Sequence, residues 1–203
     1  MRSHMIVVIA LPPVRWSHRT MKATEILVHE HELILRGVAV LERMARRASA
    51  GREVPAGDAR SMIEFIRKFA DGCHHAKEEG VLFPAMIAAG IPAQGGPVAV
   101  MLGEHDQGRA AVKAMDDAVS GFGSNAGARE AFASAAFAYS TLLTNHIFKE
   151  NNVLFRMADQ IIPASKDAEM VAAYDEHEAR VTGPGEHERF HAMIDALEQA
   201  YPG

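Results

Sequence analysis

The feature that most constrains the fold of this chain is a pattern of histidine and glutamate that occurs twice. Each copy has a Glu-His pair, then a His-x-x-x-Glu step, and then, after two intervening residues, Val-Leu-Phe. The members are Glu30, His31, His74, Glu78 and Val81-Leu82-Phe83 in the first copy, and Glu104, His105, His146, Glu150 and Val153-Leu154-Phe155 in the second. The first histidine precedes the second by 43 residues in one copy and by 41 in the other. Four imidazoles and two carboxylates therefore recur in register, whereas a repeat of apolar residues alone would indicate only a core.

Helix-forming residues dominate the chain, and glycine and proline cluster at a few breaks. These breaks predict six helices, at residues 22–49, 58–89, 97–119, 128–160, 166–181 and 186–200. No segment alternates polar and apolar residues for long, so the predicted fold class is all-α. The first four helices are long and their connections short, which favours an up-down-up-down four-helix bundle with two extra C-terminal helices.

The domain organisation predicted from this pattern has three parts. Residues 1–20, which include the vector-like stretch Arg2 to Met5, are expected to be a leader or vector-derived segment. Residues 21–160 form the bundle, and residues 161–203 form a helical appendage that packs on it. The apolar run from Met5 to Leu11 is far shorter than the ~20 residues that span a bilayer, so we expect no membrane partner.

Composition narrows the range of functions. The formal net charge of −5 gives no broad basic surface, so nucleic-acid binding is not expected. Cys73 is the only cysteine, which excludes an intramolecular disulfide and fits a cytoplasmic location. Eleven histidines in 203 residues is a high number that calls for an explanation.

Helical spacing predicts which histidines face the bundle interior. His31 shares a face with apolar residues of the first helix, whereas His29 shares one with charged residues. His105 and His146 also follow apolar residues at helical spacing. In the neighbouring pair, His74 lies one and two turns beyond apolar residues and is predicted to point inward, whereas His75 is predicted to lie with Glu79 on a solvated face.

A His-x-x-x-Glu step places an imidazole and a carboxylate one turn apart on one side of a helix. Two such helices, each beside a helix with one inward histidine, supply ligands for two metal ions. If each ion takes two histidines and both carboxylates bridge, an additional oxo or hydroxo bridge leaves about one open position in a six-coordinate sphere. Metal binding would also remove the cost of several kcal/mol for burying each unpaired carboxylate.

These motifs resemble the hemerythrin HHE cation-binding family over about residues 21–160. The resemblance rests on the segments that end in Glu30-His31, on the stretch from Phe69 to Glu79, on Leu82-Phe83-Pro84 and on His146-Ile147-Phe148-Lys149-Glu150. It implies a hemerythrin-like four-helix bundle with a non-haem di-iron centre. The metal ligands that it implies are His31, His74, Glu78, His105, His146 and Glu150, and the cofactor is two iron ions, oxo- or hydroxo-bridged.

The chain departs from the oxygen-carrying hemerythrins at two positions. Arg109 stands four residues after His105, where those proteins have a further histidine, and Asn151 replaces their final aspartate. Glu150 supplies the second carboxylate instead, as in the repair-of-iron-centres proteins. This ligand set argues against simple reversible oxygen carriage and favours reactivity with oxygen, peroxide or nitric oxide.

For several side chains the sequence is compatible with two interpretations. Glu30 and Glu104 are either supporting groups near the metal or ordinary surface carboxylates. Tyr139 either hydrogen-bonds near the metals or only packs. His187-x-x-x-His191 is either a further metal step or part of an amphipathic helix that covers the bundle, and the second reading is favoured.

The function predicted is a non-haem di-iron hemerythrin-like protein that binds or reacts with oxygen, nitric oxide or peroxide in stress response or sensing. The alternative is an iron-binding module, either a store or donor or an iron-dependent interaction domain, without turnover. An oxidoreductase activity on peroxide, oxygen or nitric oxide is compatible with the first hypothesis. The expected partner is a small diatomic or peroxide ligand, and a homodimer is compatible with the appended helices.

Overall fold

The computed structural model describes residues 21–125, 127–181 and 183–203 and is helical throughout, with no strand in these residues. The six helices are α1 (Ala23–Ser49), α2 (residues 56–88), α3 (Pro97–Ser120), α4 (residues 128–161), α5 (Asp167–Val181) and α6 (Glu186–Ala200). Their bounds agree with the predicted helices within two residues, and the all-α prediction is confirmed. The predicted leader, residues 1–20, lies outside the described residues.

Consecutive helices of the bundle run antiparallel. The start of α1 meets the end of α4, where Thr24 Oγ1 donates to Asp159 at 2.7 Å. The start of α2 meets the end of α3, where Arg67 donates to Asp116 at 2.9 Å. Helix α4 contacts both α1 and α3, which completes the four-helix arrangement.

Helices α2 and α4 are not α-helical throughout. Helix α2 contains the π-helical segments Ile66–His75 and Glu78–Leu82, and α4 contains Glu150–Leu154. In a π segment each N–H bonds to the carbonyl five residues earlier, as Ala76 does to Asp71. The segments coincide with the His-x-x-x-Glu steps, so they change the directions in which the candidate ligands point.

The bundle interior has two apolar layers with a polar layer between them. One layer includes Leu41 and Phe132, and the other includes Leu27 and Met86. All four side chains are fully buried. The apolar layers exclude water from the histidines and glutamates that lie between them.

Helices α5 and α6 cover one side of the bundle, one against each apolar layer. Tyr174 of α5 joins the layer of Leu27, and Phe190 of α6 joins the layer of Leu41. Arg36 of α1 donates to Asp195 at 2.5 Å and to Glu198 at 2.6 Å, which ties α6 to α1. None of the described helices has both the length and the apolar content needed to cross a bilayer.

Helices α1 and α2 lie close together at Gly37. A Cβ atom at this position would lie 2.4 Å from Cε1 of Phe65, a buried ring that stacks on Phe69. We therefore expect Gly37→Ala to destabilise the protein by about 1–2 kcal/mol. The overpacking against Phe65 destabilises the fold by more than the higher helix propensity of alanine stabilises it. Chemical denaturation monitored by circular dichroism measures this change.

The matched control is Gly103→Ala on α3, where a Cβ atom would meet nothing within 4 Å. This variant should be unchanged or more stable by up to about 1 kcal/mol. Equal effects of the two substitutions would contradict the close approach of α1 and α2.

Candidate metal centre

The six histidines and glutamates of the duplicated pattern converge at the middle of the bundle. None of them is more than 2% exposed. One histidine comes from α1, one from α3, and a His-x-x-x-Glu step from each of α2 and α4. These residues are His31, His74, Glu78, His105, His146 and Glu150.

Together with His75, they form two groups that could each hold a metal ion. Within each group the candidate ligand atoms lie within 4.8 Å of one another. Group one consists of His31, His74, Glu78 and Glu150, and group two consists of His75, Glu78, His105 and His146. Glu78 belongs to both groups, so the two positions are neighbours.

Glu78 directs its two carboxylate oxygens to different groups. Its Oε1 lies 3.6 Å from Nε2 of His74, and its Oε2 lies 3.4 Å from Nε2 of His105. A carboxylate placed in this way can bridge two ions.

Glu150 repeats this arrangement from α4. Its Oε2 lies 3.2 Å from Nε2 of His31, and its Oε1 lies 3.0 Å from Nε2 of His146. Two donor atoms at about 2.1 Å and right angles around one metal ion would be about 3.0 Å apart. The spacing of these atoms therefore matches that of ligands around a shared ion.

The prediction that His75 faces solvent is wrong. Its side chain is 5% exposed, and its ring stacks on that of His105 with centroids 3.9 Å apart. The prediction assumed an α-helix, but Ile66–His75 is π-helical and turns through a smaller angle per residue. His74 and His75 consequently both point into the interior, one toward each group. Glu79 also contacts the centre, although its side chain is 30% exposed.

Every histidine of the two groups uses Nδ1 to contact an oxygen atom, which leaves Nε2 directed inward. The pairs, with the distance from Nδ1 to oxygen, are His31 and Asn151 at 2.8 Å, His74 and Glu30 at 2.9 Å, His75 and Asp71 at 3.3 Å, His105 and Glu79 at 2.7 Å, and His146 and Glu104 at 2.8 Å. An ionised carboxylate only accepts, so Nδ1 must donate to it. Nε2 then carries the lone pair, which is the arrangement that metal-bound histidines adopt.

Glu30 and Glu104 are therefore supporting groups rather than surface carboxylates. Glu30 is 5% exposed and accepts from both His74 and Lys77, whose ammonium group is fully buried. Burial by itself would raise the pKa of Glu30. The charge of Lys77 and the hydrogen bond from His74 lower this pKa by a larger amount, so the carboxylate stays ionised.

Lys77 and its counterpart Lys149 are residues that the sequence analysis missed. Lys149 donates to Glu104, which also accepts from His146. Lys77 stands directly before Glu78 and Lys149 directly before Glu150, at the same offset in the two copies. That recurrence is a sequence signal that could have identified them.

Most inward atoms of this centre have no hydrogen-bond partner among the described residues, although Nε2 of His105 and Nε2 of His146 lie 3.1 Å apart. Among the described residues, both oxygens of Glu78 and of Glu150 are buried without a hydrogen bond, and so are Nε2 of His31 and of His74. Buried polar atoms are normally hydrogen-bonded, and buried carboxylates need a cation. The donor set, imidazole nitrogen and carboxylate oxygen, suits a divalent or trivalent first-row metal such as iron.

The electrostatics of the two glutamates differ when no metal is bound. Burial and the neighbouring charge of Glu150 raise the pKa of Glu78 well above its usual range. Burial would also raise the pKa of Glu150, but the close contacts with His146 and His31 lower it well below that range. One carboxyl group of the pair therefore holds a proton that a metal ion would displace.

Three histidines of the centre, His74, His75 and His105, are neutral at physiological pH because burial lowers their pKa values. Burial lowers the pKa of His74 and of His75 to about 4 and that of His105 to about 3. Burial acts in the same direction on His146, but its contacts with Glu150 and Glu104 raise its pKa instead. Neutral imidazoles are the form that binds metal.

The two copies of the pattern are not equivalent. In α4 the positions that correspond to Asp71 and His75 of α2 are occupied by Leu143 and Ile147, which are buried apolar residues. Group two therefore has three histidines and group one has two. Two ions bound here would have different ligands.

A cavity of about 320 Å³, the side cavity, lies next to group two. It is lined by Ile66, Arg67, Asp71, His75, Glu104, His105, Gly108, Arg109, Val112, Tyr139, Leu142, Leu143 and His146. All three histidines of group two line it, whereas neither histidine of group one does. The side cavity therefore borders group two and not group one.

A third cluster of potential ligands lies behind His74. It contains Glu30, Cys73, Glu178 and His187, but Lys77 bridges its two carboxylates, with Nζ 3.2 Å from Glu178. The ammonium group already supplies the positive charge, so this cluster does not need a metal ion. Among the described residues, His191 joins no group with metal-ligand spacing, which favours the reading of α6 as a covering helix.

Comparisons with known proteins agree with this geometry. The family model described as the hemerythrin HHE cation-binding domain matches residues 22–158. One uncharacterized protein of Mycobacterium bovis and two of Mycobacterium tuberculosis are each 26% identical over 178 residues, which is 86% of this chain and 67% of theirs. No solved structure matches the chain significantly.

Substituting Glu78 tests the electrostatic role of the buried pair. In metal-free protein at neutral pH, Glu78→Gln should increase the free energy of unfolding by on the order of 1–3 kcal/mol, because it removes a carboxyl group that must hold a proton or bear repulsion. A group with a raised pKa costs stability as the pH rises, so the difference should shrink toward pH 4.5, the ordinary carboxyl value. Urea denaturation at several pH values measures it.

The control for this experiment is Glu32→Gln, since the Glu32 side chain is 70% exposed on the outside of α1. It should change stability by less than about 0.5 kcal/mol. If Glu78→Gln were less stable than wild type in the metal-free state, the repulsion between the two glutamates would be disproved.

Proposed function

The chain belongs to the hemerythrin HHE cation-binding family, and from that premise we propose that it is a non-haem di-iron protein that reacts with oxygen, peroxide or nitric oxide in stress response or sensing. Metal binding follows from the family and from the His and Glu groups of the centre. The number of ions, their bridging and their reactivity are the proposal.

The observation that carries this proposal is the set of buried, unpartnered ligand atoms. The four carboxylate oxygens of Glu78 and Glu150 lie at 0% exposure with no hydrogen bond among the described residues. Each glutamate sends one oxygen toward each group, so a single ion would leave half of these contacts unused. Two ions satisfy all of them.

The residues around the centre have separable roles. His31, His74, His105, His146 and the bridging glutamates would hold the two ions, and His75 would be a seventh ligand residue, at group two. When bound, two iron ions would supply Lewis acidity and electrons for a small oxidant.

The outer side chains keep the inner ones in position. Glu30 and Glu104 fix the rings of His74 and His146, and they hold the Nδ1 protons that keep each Nε2 free. Lys77 and Lys149 keep these carboxylates ionised, so they continue to accept. The apolar layers exclude bulk water and strengthen each of these interactions.

The first prediction from this proposal concerns metal content. Protein produced with sufficient iron should contain two iron atoms per chain by metal analysis. His75→Ile gives group two the residue found at the corresponding position of the second copy, and it should lose one of the two irons to a chelator about tenfold or more faster than wild type, because one donor is missing.

His29→Gln is the matched control, because His29 lies on the outer part of α1 near His31 and belongs to neither group. It should keep both irons with the chelation rate of wild type. Glu150→Ala should lose both irons, since this glutamate contacts both groups. Two irons with unchanged chelation in His75→Ile would restrict the ligands to the six residues of the duplicated pattern. One zinc ion, or no metal, in protein grown with iron would overturn the di-iron proposal.

The second prediction concerns pH. Iron must displace the proton held by Glu78 and compete with protonation of His146, because both pKa values are raised. The apparent iron affinity should therefore fall as the pH is lowered, by about tenfold per pH unit for each proton displaced. Proton release on iron addition, measured in a weakly buffered solution, should be smaller by about one proton in Glu78→Gln than in wild type.

The third prediction separates reactivity from storage. Anaerobically reduced, iron-loaded protein should change its near-ultraviolet and visible absorption when oxygen or nitric oxide is added, and it should consume hydrogen peroxide in the presence of an electron donor. Glu150→Ala, which lacks the iron, is the control. Stable iron binding with transfer to a chelator, but without these reactions, would support the alternative of an iron store or donor.

A further inference from the structure

The side cavity is larger than a diatomic gas or hydrogen peroxide requires. A water molecule occupies about 30 Å³ in the liquid, and an apolar cavity of about 150 Å³ in another protein binds benzene. The side cavity has a volume of about 320 Å³. It therefore has space for a one-ring organic molecule with a substituent.

The walls of the side cavity are mainly apolar and come from three helices. Ile66 of α2, Val112 of α3, and Leu142 and Leu143 of α4 supply these walls. Gly108 of α3 faces them without a side chain, and a Cβ atom there would lie 3.6 Å from Tyr139 and 4.0 Å from Leu142. The absence of a side chain at position 108 keeps the space open.

The formal charges that line the side cavity are all paired. Arg109 donates to Asp71 and to Glu79, the latter at 2.7 Å. Arg67 donates to Asp116 outside the cavity, and Glu104 accepts from Lys149. An ionic ligand would therefore find no free counter-charge, which favours an uncharged occupant.

One polar group of the side cavity is left without a partner. The hydroxyl group of Tyr139 is buried and makes no hydrogen bond among the described residues. Burial and the nearby charge of Asp71 raise the pKa of Tyr139, so this hydroxyl keeps its proton and can donate. A buried hydroxyl without a partner is costly, and an oxygen atom on the occupant would satisfy it.

We propose that the side cavity binds an uncharged one-ring organic molecule that carries one oxygen function, with its ring against the apolar walls beside Gly108 and its oxygen within reach of Tyr139 and the histidines of group two. This inference rests on the proposed function, because it names a class of molecule brought to the same metal position. It extends the ligands of the centre from diatomic gases to organic hydroxyl and hydroperoxide compounds.

The experiment measures binding of phenol and of toluene, which lacks the oxygen, by saturation-transfer NMR on purified full-length protein before and after iron loading. Wild type should bind both compounds. Gly108→Leu should weaken both by about tenfold or more, because the added side chain fills the space of the ring. Tyr139→Phe should weaken phenol several-fold and leave toluene unchanged.

The matched control is Gly103→Leu, on the same helix at a position where a Cβ atom meets nothing within 4 Å. It should bind like wild type. Leu142→Phe narrows the side cavity from the opposite wall. Because Leu142 is partly exposed, this variant is expected to fold, and it tests the proposal if Gly108→Leu does not fold. Absence of phenol binding at millimolar concentration, or equal binding by wild type and the narrowed variants, would overturn the proposal.

A second measurement distinguishes this inference from the proposed function. If the centre reduces peroxides with an added electron donor, Gly108→Leu should lower the ratio of kcat/KM for cumene hydroperoxide to kcat/KM for hydrogen peroxide about tenfold or more, because the larger substrate is excluded more strongly. Phenol binding without any peroxide reaction would refute the reactivity and leave the cavity proposal standing. If Gly108→Leu lost kcat/KM equally for both peroxides, the peroxide reactivity would stand and the cavity proposal would be refuted.

Discussion

The burial of two glutamates in an apolar bundle is the constraint on which the rest of this structure depends. Glu78 and Glu150 are fully enclosed, and moving a carboxylate out of water costs several kcal/mol unless positive charge meets it. The surrounding polar side chains form successive layers around the two carboxylates, and each layer contacts the next through nitrogen and oxygen atoms. Imidazole nitrogens surround the carboxylates, oxygen atoms hold the imidazoles, and Lys77 and Lys149 balance two of the outer carboxylates. Metal cations at the centre would complete this neutralisation.

The π-helical segments have a direct chemical consequence. In the described residues they occur on α2 and α4, the helices that carry the His-x-x-x-Glu steps, and each glutamate begins one of them. Pro84 could explain the segment at Glu78 because it lacks an N–H, but Arg156 occupies the corresponding position after Glu150. The two segments that begin at the glutamates therefore recur with the duplicated pattern, whereas Ile66–His75 has no counterpart in α4, which is α-helical over Ala128–Lys149. The poorer backbone geometry of a π turn is offset by the freedom to present two neighbouring histidines inward.

Duplication makes the centre nearly symmetric, and a few substitutions break that symmetry. Asp71 and His75 stand where the second copy has Leu143 and Ile147, and the side cavity opens on the same half of the centre. Ligand number and access thus change together at one metal position. If two ions are bound here as proposed, one would be enclosed and the other reachable from the side cavity, and their ligands would differ.

The sequence by itself determined the helices, the bundle and the convergence of six side chains. It could do so because apolar periodicity sets which face of an α-helix is buried, and because His31, His105 and the two His-x-x-x-Glu steps recur at matched intervals. It could not place His75, since helical phase reverses the answer when the backbone locally becomes π-helical. Nor could it show that Glu30 supports His74 on another helix rather than its neighbour His31. Those contacts join residues 44 or more positions apart, and only the tertiary packing of α1 against α2 decides them.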